Sequence, residues 1–169
     1  MSAALFVVAI FQWPRDASAA DTVIGLDADG ALPATGSNLL DGGGGFGIRL
    51  GSQLHLPLLR VTGEIGYGYE RLFADKAPSD WTTHRAFAGV RLGIGGLLVP
   101  FAFAHLGYGW RVTSDSSYGG NGIALDGGVG LDVNLGAIAV GGHVGYAFID
   151  AQPSAPQWVI LGLDGTLAF

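Results

Sequence analysis

Arginine and carboxylate side chains recur at alternate positions along much of this chain, and their pairing is the main chemistry that the sequence offers. The guanidinium group of arginine is planar and pairs with carboxylates through two parallel hydrogen bonds in confined places. The only lysine, Lys76, falls outside the alternating segments. We therefore predict an internal, structural ion-pair network formed by Asp27, Asp29, Arg49, Arg60, Glu64, Glu70, Arg85, Arg91, Arg111, Asp126, Asp132 and Asp164.

Two histidines, His105 and His143, share the face of this network and could approach one another. A metal site needs more ligands in close geometry, so we expect neutral rings hydrogen-bonded to the ion pairs. The Asp-Ala-Asp-Gly sequence at 27–30 lacks the later acidic positions of a calcium loop. The glycine run at 42–45 lacks the Lys and the Ser or Thr of a phosphate-binding loop and is expected to be a flexible loop. The sequence thus predicts no metal and no cofactor.

A third histidine, His84, follows Asp80 and Thr82 at the end of a polar segment. Histidine beside a carboxylate and a hydroxyl could act as a general base. An ordinary solvated loop is the preferred interpretation, so we predict no catalytic residue.

The composition restricts the class of protein. Charged residues are 13% of the 169-residue chain and hydrophobic residues 49%, whereas soluble domains carry roughly 25% charged residues. The formal net charge of −6 argues against nucleic-acid binding, which requires a basic surface. The absence of cysteine excludes a disulfide framework and a thiolate metal site. The length fits one domain.

The elements that must position these residues are strands, because apolar and polar residues alternate with a period of two. In 46–56, for example, Phe46, Ile48 and Leu50 alternate with Gly47 and Arg49. No outward position of any such segment carries a charge. The segments are 23–32, 46–56, 59–70, 83–94, 99–112, 122–135, 137–149 and 158–169, and they predict an all-β fold, a closed eight-stranded antiparallel up-and-down transmembrane β-barrel.

A soluble barrel with its apolar face inward is the alternative, and the other face argues against it. That face is rich in glycines, such as Gly66, Gly68, Gly107 and Gly109. Glycines suit a narrow lumen, which eight strands leave only just wide enough for side chains. They would be unusual on a water-facing strand surface. We therefore expect the charged, glycine-rich face to be the lumen and the apolar face to contact lipid.

The connections between segments alternate in length. Those after the first, third, fifth and seventh segments are long and polar (33–44, 71–81, 113–121 and 150–157), and the others are tight turns near Pro57, Gly95 and Gly136. Tyrosine and tryptophan concentrate at lipid–water interfaces. We predict an aromatic girdle at the long-loop end, formed by Tyr67, Tyr69, Trp81, Tyr108, Trp110, Tyr146, Phe148 and Trp158.

The N-terminal segment 1–20 has the order of a secretory signal peptide. An apolar core at 3–11 precedes small residues at 17–20, with cleavage expected after Ala20. No Lys or Arg precedes the apolar core, so the signal is atypical or the true start lies upstream. A helix of the mature domain is the alternative. The barrel is expected over 21–169.

These features together resemble the small eight-stranded outer-membrane barrels, the OmpA-like and OmpX-like group. The resemblance rests on the strand pattern, on segments such as Gly66-Tyr67-Gly68-Tyr69, and on the C-terminal strand ending in Phe169. It implies an integral protein of the bacterial outer membrane, with membrane lipid and lipopolysaccharide as surroundings. It also implies recognition of Phe169 by the barrel-assembly machinery. We expect a monomer, with no peptidoglycan-binding domain after the barrel.

Three functions follow from this resemblance. The leading hypothesis is a non-enzymatic barrel with a plugged polar lumen that supports envelope integrity or surface contact. The second is a lipid A-modifying enzyme, and the third is a small passive channel. A lipid A deacylase uses a serine and a histidine on the lipid-facing side of the barrel. In this chain Ser52 is the only serine expected there, with no outward histidine beside it.

Overall fold

The computed structural model describes residues 20–34, 40–74, 80–113, 119–151 and 155–169. The predicted signal peptide therefore lies, apart from Ala20, outside the described residues. Eight strands follow one another along the chain: β1 (Asp21–Pro33), β2 (Leu40–His55), β3 (Leu59–Ala74), β4 (Trp81–Ile94), β5 (Leu98–Val112), β6 (Gly120–Asn134), β7 (Ile138–Ile149) and β8 (Gln157–Ala168). None of the described residues forms a helix long and apolar enough to cross a membrane.

Each strand pairs in antiparallel fashion with its neighbour in sequence, and β8 pairs with β1. The sheet is therefore closed, and the predicted fold class is confirmed. Closure has a physical cause, because an open edge would leave backbone N–H and C=O groups without partners in hydrocarbon. Phe169 completes the seam, since its N–H donates to the carbonyl of Thr22 at 3.0 Å and its carbonyl accepts from the N–H of Thr22 at 2.8 Å.

The strands are staggered, and the stagger decides which inward side chains meet. A row of paired residues that starts at Val23 travels once round the barrel and returns to β1 at Pro33, so the strands must tilt by roughly 35–45° to the barrel axis. The row passes through Val23, Gly51, Glu64, Gly89, His105, Asp126, Ala147, Trp158 and Pro33.

The two faces of the sheet differ as the alternation predicts. Leu106 and Leu163 on the outside are 59% and 69% exposed, whereas Glu64 and Arg85 on the inside are 5% and 4% exposed. The charged groups in the middle of the barrel are thus enclosed, and a belt of aliphatic side chains faces outward. This is the reverse of a soluble protein, and it fits a hydrocarbon environment.

Glycines 42–45 were expected to form a loop, and this expectation is wrong. They belong to β2, and Gly43 and Gly45 pair with Leu72 and Glu70 of β3. A β-carbon on Gly43 or Gly45 would lie 2.9 Å from the Cα of its β3 partner, so only glycine allows this approach. Gly42 sits at a register shift with φ +148°, a backbone conformation that glycine adopts most readily.

The two ends of the barrel differ as expected, although the strands extend further than the sequence pattern shows. Tight turns join β2 to β3, β4 to β5 and β6 to β7, with positive φ at Gly95 (116°) and Gly136 (90°). At the other end, called here the loop end, residues 34–39, 75–80, 113–119 and 150–156 connect the strands. Longer strands leave shorter outer connections than the alternation alone indicated.

The outward face generates a prediction about membrane stability. Val90→Arg and Leu163→Arg place a charge in the middle of the apolar belt and should each cost about 2–4 kcal/mol of unfolding free energy in lipid vesicles. Val112→Arg, at the loop end of β5, is the matched control and should cost about 0–1 kcal/mol. Urea titration followed by tryptophan fluorescence measures the cost. Cold and boiled electrophoresis confirms that each variant forms a closed barrel. Tolerance of arginine at both central positions would contradict a lipid-facing assignment.

Candidate functional site

The loop end of the barrel interior is closed by apolar side chains. This apolar plug consists of Ala31, Leu72, Trp81, Ala124, Ala147, Ile149, Ala151, Trp158 and Ile160. Trp81 and Trp158 are only 2% and 0% exposed, so the prediction that they belong to the aromatic girdle is wrong. The alternation contained the signal, because Trp81 shares the parity of inward Arg85 and Trp158 that of inward Asp164. Proximity to a loop does not determine which face of the sheet a strand residue occupies.

Below the plug, arginines and carboxylates fill the interior, and Arg49 is the first centre of contacts. Its Nε lies 2.9 Å from Oδ2 of Asp27, and its Nη1 lies 3.0 Å from Oε2 of Glu64. Its Nη2 lies 3.7 Å from Asp164. One guanidinium therefore joins carboxylates of β1, β3 and β8, which ties distant parts of the chain together.

Arg91 forms a second centre towards the turn end. Its Nη2 donates to Oδ2 of Asp132 at 2.7 Å and to Oδ2 of Asp164 at 3.0 Å. The guanidinium carbon also lies 3.5 Å from the centre of the Phe101 ring. This arrangement satisfies the charge and leaves the flat face of the cation against an aromatic surface. Asp164 connects Arg91 to Arg49, so the two centres form one network.

Arg85 forms the third centre, just below the apolar plug. It donates to Glu70 and, at 2.5 Å, to Oδ2 of Asp126. The hydroxyl of Thr83 donates to the other oxygen of Glu70 at 3.0 Å. The guanidinium lies 5.4 Å from the ring centre of Trp158. The apolar plug and the charged network are therefore continuous.

His105 joins these centres. Its Nδ1 lies 2.6 Å from Asp126 and its Nε2 lies 2.7 Å from Glu64. Carboxylate oxygens accept hydrogen bonds, so both ring nitrogens must donate while the carboxylates stay charged for Arg85 and Arg49. The ring fits this place as an imidazolium, and the expectation of a neutral ring is not met.

His143 occupies a similar but looser position. Its Nε2 lies 3.3 Å from Asp29 and its Nδ1 lies 3.5 Å from Asp164. The ring of Phe103 lies between the two histidines, 5.2 Å from the ring of His105 and 5.6 Å from that of His143. Within the described residues, no group of three or more His, Asp or Glu side chains has the arrangement of a metal site.

Two arginines predicted for the network lie at its ends. Arg60, at the turn end, donates from Nη2 to the carbonyl of Gly96 at 3.3 Å. Arg111, at the loop end, lies with its guanidinium 4.5 Å from the ring centre of Trp81. The structure brings the other predicted members together in the middle of the barrel: Asp27, Asp29, Arg49, Glu64, Glu70, Arg85, Arg91, Asp126, Asp132 and Asp164.

The remaining interior space is small. Within the described part of the chain, a cavity lies on each side of Arg49 and Arg91, and each holds about 40 Å³. That volume accommodates about one or two water molecules. The lumen is therefore filled by its own side chains.

On the outer wall near the loop end, four rings follow one another along a single row of paired residues. We call Phe46, Tyr69, His84 and Trp110 the aromatic row. Adjacent ring centres are 5.2, 5.4 and 5.3 Å apart, and His84 stacks on Trp110 with an interplanar angle of 10°. The hydroxyl of Tyr67 lies 2.5 Å from Nδ1 of His84.

Three further aromatic residues predicted for the girdle lie on the outward face of β5 and β7. The hydroxyl of Tyr108 donates to Asn121 at 2.6 Å, and that of Tyr146 donates to Gln157 at 2.5 Å. Both amides lie at the loop ends of their strands, so the ring faces the apolar belt while the hydroxyl points towards the loops. Phe148 is two residues from Tyr146 on β7 and therefore lies on the same, outward face.

The structure changes the interpretation of the two lipid-facing polar candidates. His84, expected near a solvated loop, faces outward from β4. Ser52 also faces outward, but it pairs with Gly63 of β3, which in turn pairs with Val90 of β4. Val90 is six residues from His84 along β4, a separation of roughly 20 Å. Ser52 and His84 therefore do not form one site.

Comparisons with known proteins agree with this architecture. Neisserial surface protein A (NspA) aligns over 88% of this chain and 97% of its own, with 16% identity and a TM-score of 0.64. Ail, the attachment invasion locus protein of Yersinia pestis, aligns over 89% and 97%, with 16% identity and a TM-score of 0.57. The outer membrane enzyme PagL aligns over 82% and 97%, with 20% identity and a TM-score of 0.56. No family model and no curated sequence matches the chain.

The chain is an eight-stranded β-barrel with a membrane-facing exterior. It has the fold of the small outer-membrane barrels, the architecture of integral proteins of the bacterial outer membrane. At these identities the similarity establishes the fold and leaves the role to be argued from the chain itself.

The close packing over Gly89 can be tested by substitution. A β-carbon there would lie 2.8 Å from the Cα of His105 and would displace its ring, so Gly89→Val should destabilise the barrel by about 1–3 kcal/mol. Gly63→Val is the control, because Gly63 pairs with β4 but faces open space outside. Urea unfolding in vesicles measures both variants. Equal stability of the two would disprove the close packing over Gly89.

The bridging position of His105 can be tested in the same way. His105→Ala leaves Glu64 and Asp126 without the group between them, and removal of one partner of a buried charged set should cost about 3–5 kcal/mol. His55→Ala is the control, because the side chain of His55 is 43% exposed and its pair with Asp21 spans 3.7 Å. An exposed pair of this kind is worth about 0–1 kcal/mol. The same urea titration applies, and an equal loss in both variants would refute the bridging role.

Proposed function

We propose that this protein is a structural component of the bacterial outer membrane that supports envelope integrity, without catalysis and without conduction. The observation that carries the proposal is the filled interior, in which charged side chains of most strands interlock and the two cavities hold about 40 Å³ each. A buried ion-pair network of this kind favours a fixed barrel shape.

The lumen supports this proposal over a passive channel. An ion would have to pass the apolar plug, in which Trp158 and Ile149 are fully buried, and then displace Arg85 from two carboxylates. Each step breaks buried contacts of charged groups, which are costly to separate. Steady conduction is therefore not expected.

The short outer connections support an integrity role over a surface-contact role. The segments 34–39, 75–80, 113–119 and 150–156 between the strands have only six or seven residues each. Binding to a large partner usually requires at least about 1,000 Å² of buried surface. Loops of this length offer little of it beyond the barrel rim.

The enzymatic alternative has one supporting observation, the outward His84 with its hydrogen bond to Tyr67. PagL, one of the similar structures, is an enzyme. Against catalysis, the described outward face brings no serine near His84, and Ser52 lies near the opposite end of the wall. A nucleophile must be within hydrogen-bond reach of its base, so the non-enzymatic function is favoured.

The C-terminal strand is the part of the chain that we propose contacts the assembly machinery. Phe169 is 67% exposed, and its backbone pairs with Thr22 beside the β1–β8 seam. Before that seam closes, the edge of β8 that faces β1 is unpaired, and the apolar side chain of Phe169 follows directly after it. We propose that the barrel-assembly machinery recognises this edge and that the folded barrel remains a monomer.

The test uses the purified barrel and a deletion strain of the native bacterium. We expect no steady conductance in planar bilayers, no change in the acyl chains of added lipid A by mass spectrometry, and increased sensitivity of the deletion strain to detergent. Complementation with the wild-type gene should restore resistance, whereas His105→Ala should restore less because the barrel is weakened. Steady conductance or altered lipid A would overturn the proposal, and so would unchanged detergent sensitivity.

A further inference from the structure

A groove crosses the outer wall from β5 to β1, and on β4 small side chains lie between large ones. In successive paired rows, Ala86 lies between Tyr67 and Tyr108, and Ala88 lies between Ile65 and Leu106. The two alanines form the floor and the larger side chains form the walls of a groove of about 940 Å³. Its lining is almost entirely apolar.

The loop end of this groove is closed by polar and aromatic groups. In the next row, His84 takes the place of the alanines between Tyr69 and Trp110. Nδ1 of His84 is engaged by the hydroxyl of Tyr67 at 2.5 Å. When Tyr67 donates to Nδ1, the ring hydrogen of His84 lies on Nε2. No described residue of the chain accepts a hydrogen bond from this Nε2. Further towards the loops, Arg71 is 57% exposed and lies 2.9 Å from Asp80.

The dimensions of the groove match one leaflet of the membrane. Its lining reaches from Leu106 on β5 to Ile24 on β1, and five strands at about 4.8 Å spacing give it a length of roughly 19 Å. The rows of paired residues are inclined because the strands tilt by roughly 35–45°. The groove therefore descends by roughly 11–14 Å, about half of the apolar band of about 25 Å on such barrels, from just below the aromatic row towards the middle of the membrane. A depression in hydrocarbon has to be filled by an apolar chain, because an unfilled void loses dispersion contacts.

We infer that this groove binds one acyl chain of a lipopolysaccharide molecule, whose headgroup phosphate accepts a hydrogen bond from Nε2 of His84. The ligand is assigned by position and chemistry, because the longer connections of such barrels face the cell surface and His84 offers a hydrogen-bond donor at the polar end of the groove. The rings of the aromatic row offer flat apolar surfaces to sugar rings. This inference rests on the membrane placement of the proposed function and adds a specific lipid to it.

A second groove on the opposite wall provides an internal comparison. It holds about 700 Å³ around Gly142, and outward side chains such as Val129, Val144 and Leu161 line it. Its outward lining contains no donor comparable to His84. We expect acyl chains of any lipid to occupy it, without selection for a headgroup.

Native mass spectrometry of the detergent-purified protein tests the site, with lipid A and phosphatidylethanolamine added separately. Wild-type protein should retain one lipid A in preference to phosphatidylethanolamine. Ala88→Phe fills the groove and should lower the lipid A-bound fraction at least tenfold. Ala102→Phe is the matched control, because Ala102 also faces outward on the neighbouring β5 but does not line the groove. It should bind as the wild type does.

His84→Phe separates the headgroup contact from the groove, since it keeps a ring against Trp110 and removes the donor. We expect about a tenfold loss of lipid A binding, as for one lost hydrogen bond to a charged group, with phosphatidylethanolamine binding unchanged. Cold and boiled electrophoresis verifies folding of each variant. Equal retention of both lipids by the wild type, lipid A binding that survives Ala88→Phe, or a dimer that Ala88→Phe dissociates would each overturn the inference. None of these results would alter the conductance or detergent-sensitivity outcomes of the proposed function.

Discussion

The narrow lumen is the constraint from which most of this structure follows. Eight strands enclose a space only just wide enough for side chains, so a large inward side chain must lie over a glycine of the adjacent strand. Arg49 lies over Gly25, where a β-carbon would be 2.8 Å from the guanidinium carbon, and Phe87 lies over Gly66, where it would be 2.5 Å from the ring. The inward glycines therefore determine where arginines and aromatic rings can fit, and through them the route of the ion-pair network.

The enclosed charges impose a second condition. Carboxylates outnumber arginines among the network residues of the barrel interior, and an unpaired buried charge is costly. His105, held between Glu64 and Asp126, supplies a further cation, and its position depends on Gly89 leaving room between β3 and β5. Packing and electrostatics are thus not separate features here, because the same small residue permits both.

The alternation of residues was sufficient to predict the strands, their antiparallel order, the closed barrel and the inward face of the arginines. It was not sufficient to predict where each side chain lies along the barrel axis. An odd or even position in a strand determines the face of the sheet but not the distance from either end of the barrel. The stagger that brings Glu64 and Asp126 to His105 comes from the registers of several strand pairs. The inward Trp81 and Trp158 were predictable from parity alone. Gly43 and Gly45 were not, because a glycine run reads equally well as a loop until the close approach of β3 is known.

Because the interior is filled by interlocking side chains, the outer wall is the surface whose side chains can distinguish such a barrel from others of its size. Here that wall is asymmetric. The aromatic row and the alanine floor lie on β2 to β5, whereas much of the outward face of β6 to β8 is aliphatic, as at Val129, Val144 and Leu161. Rings with polar groups favour the interface and aliphatic chains favour hydrocarbon. The two sides of the barrel therefore present different side chains to the lipid, and the filled lumen holds them on opposite sides of one closed sheet.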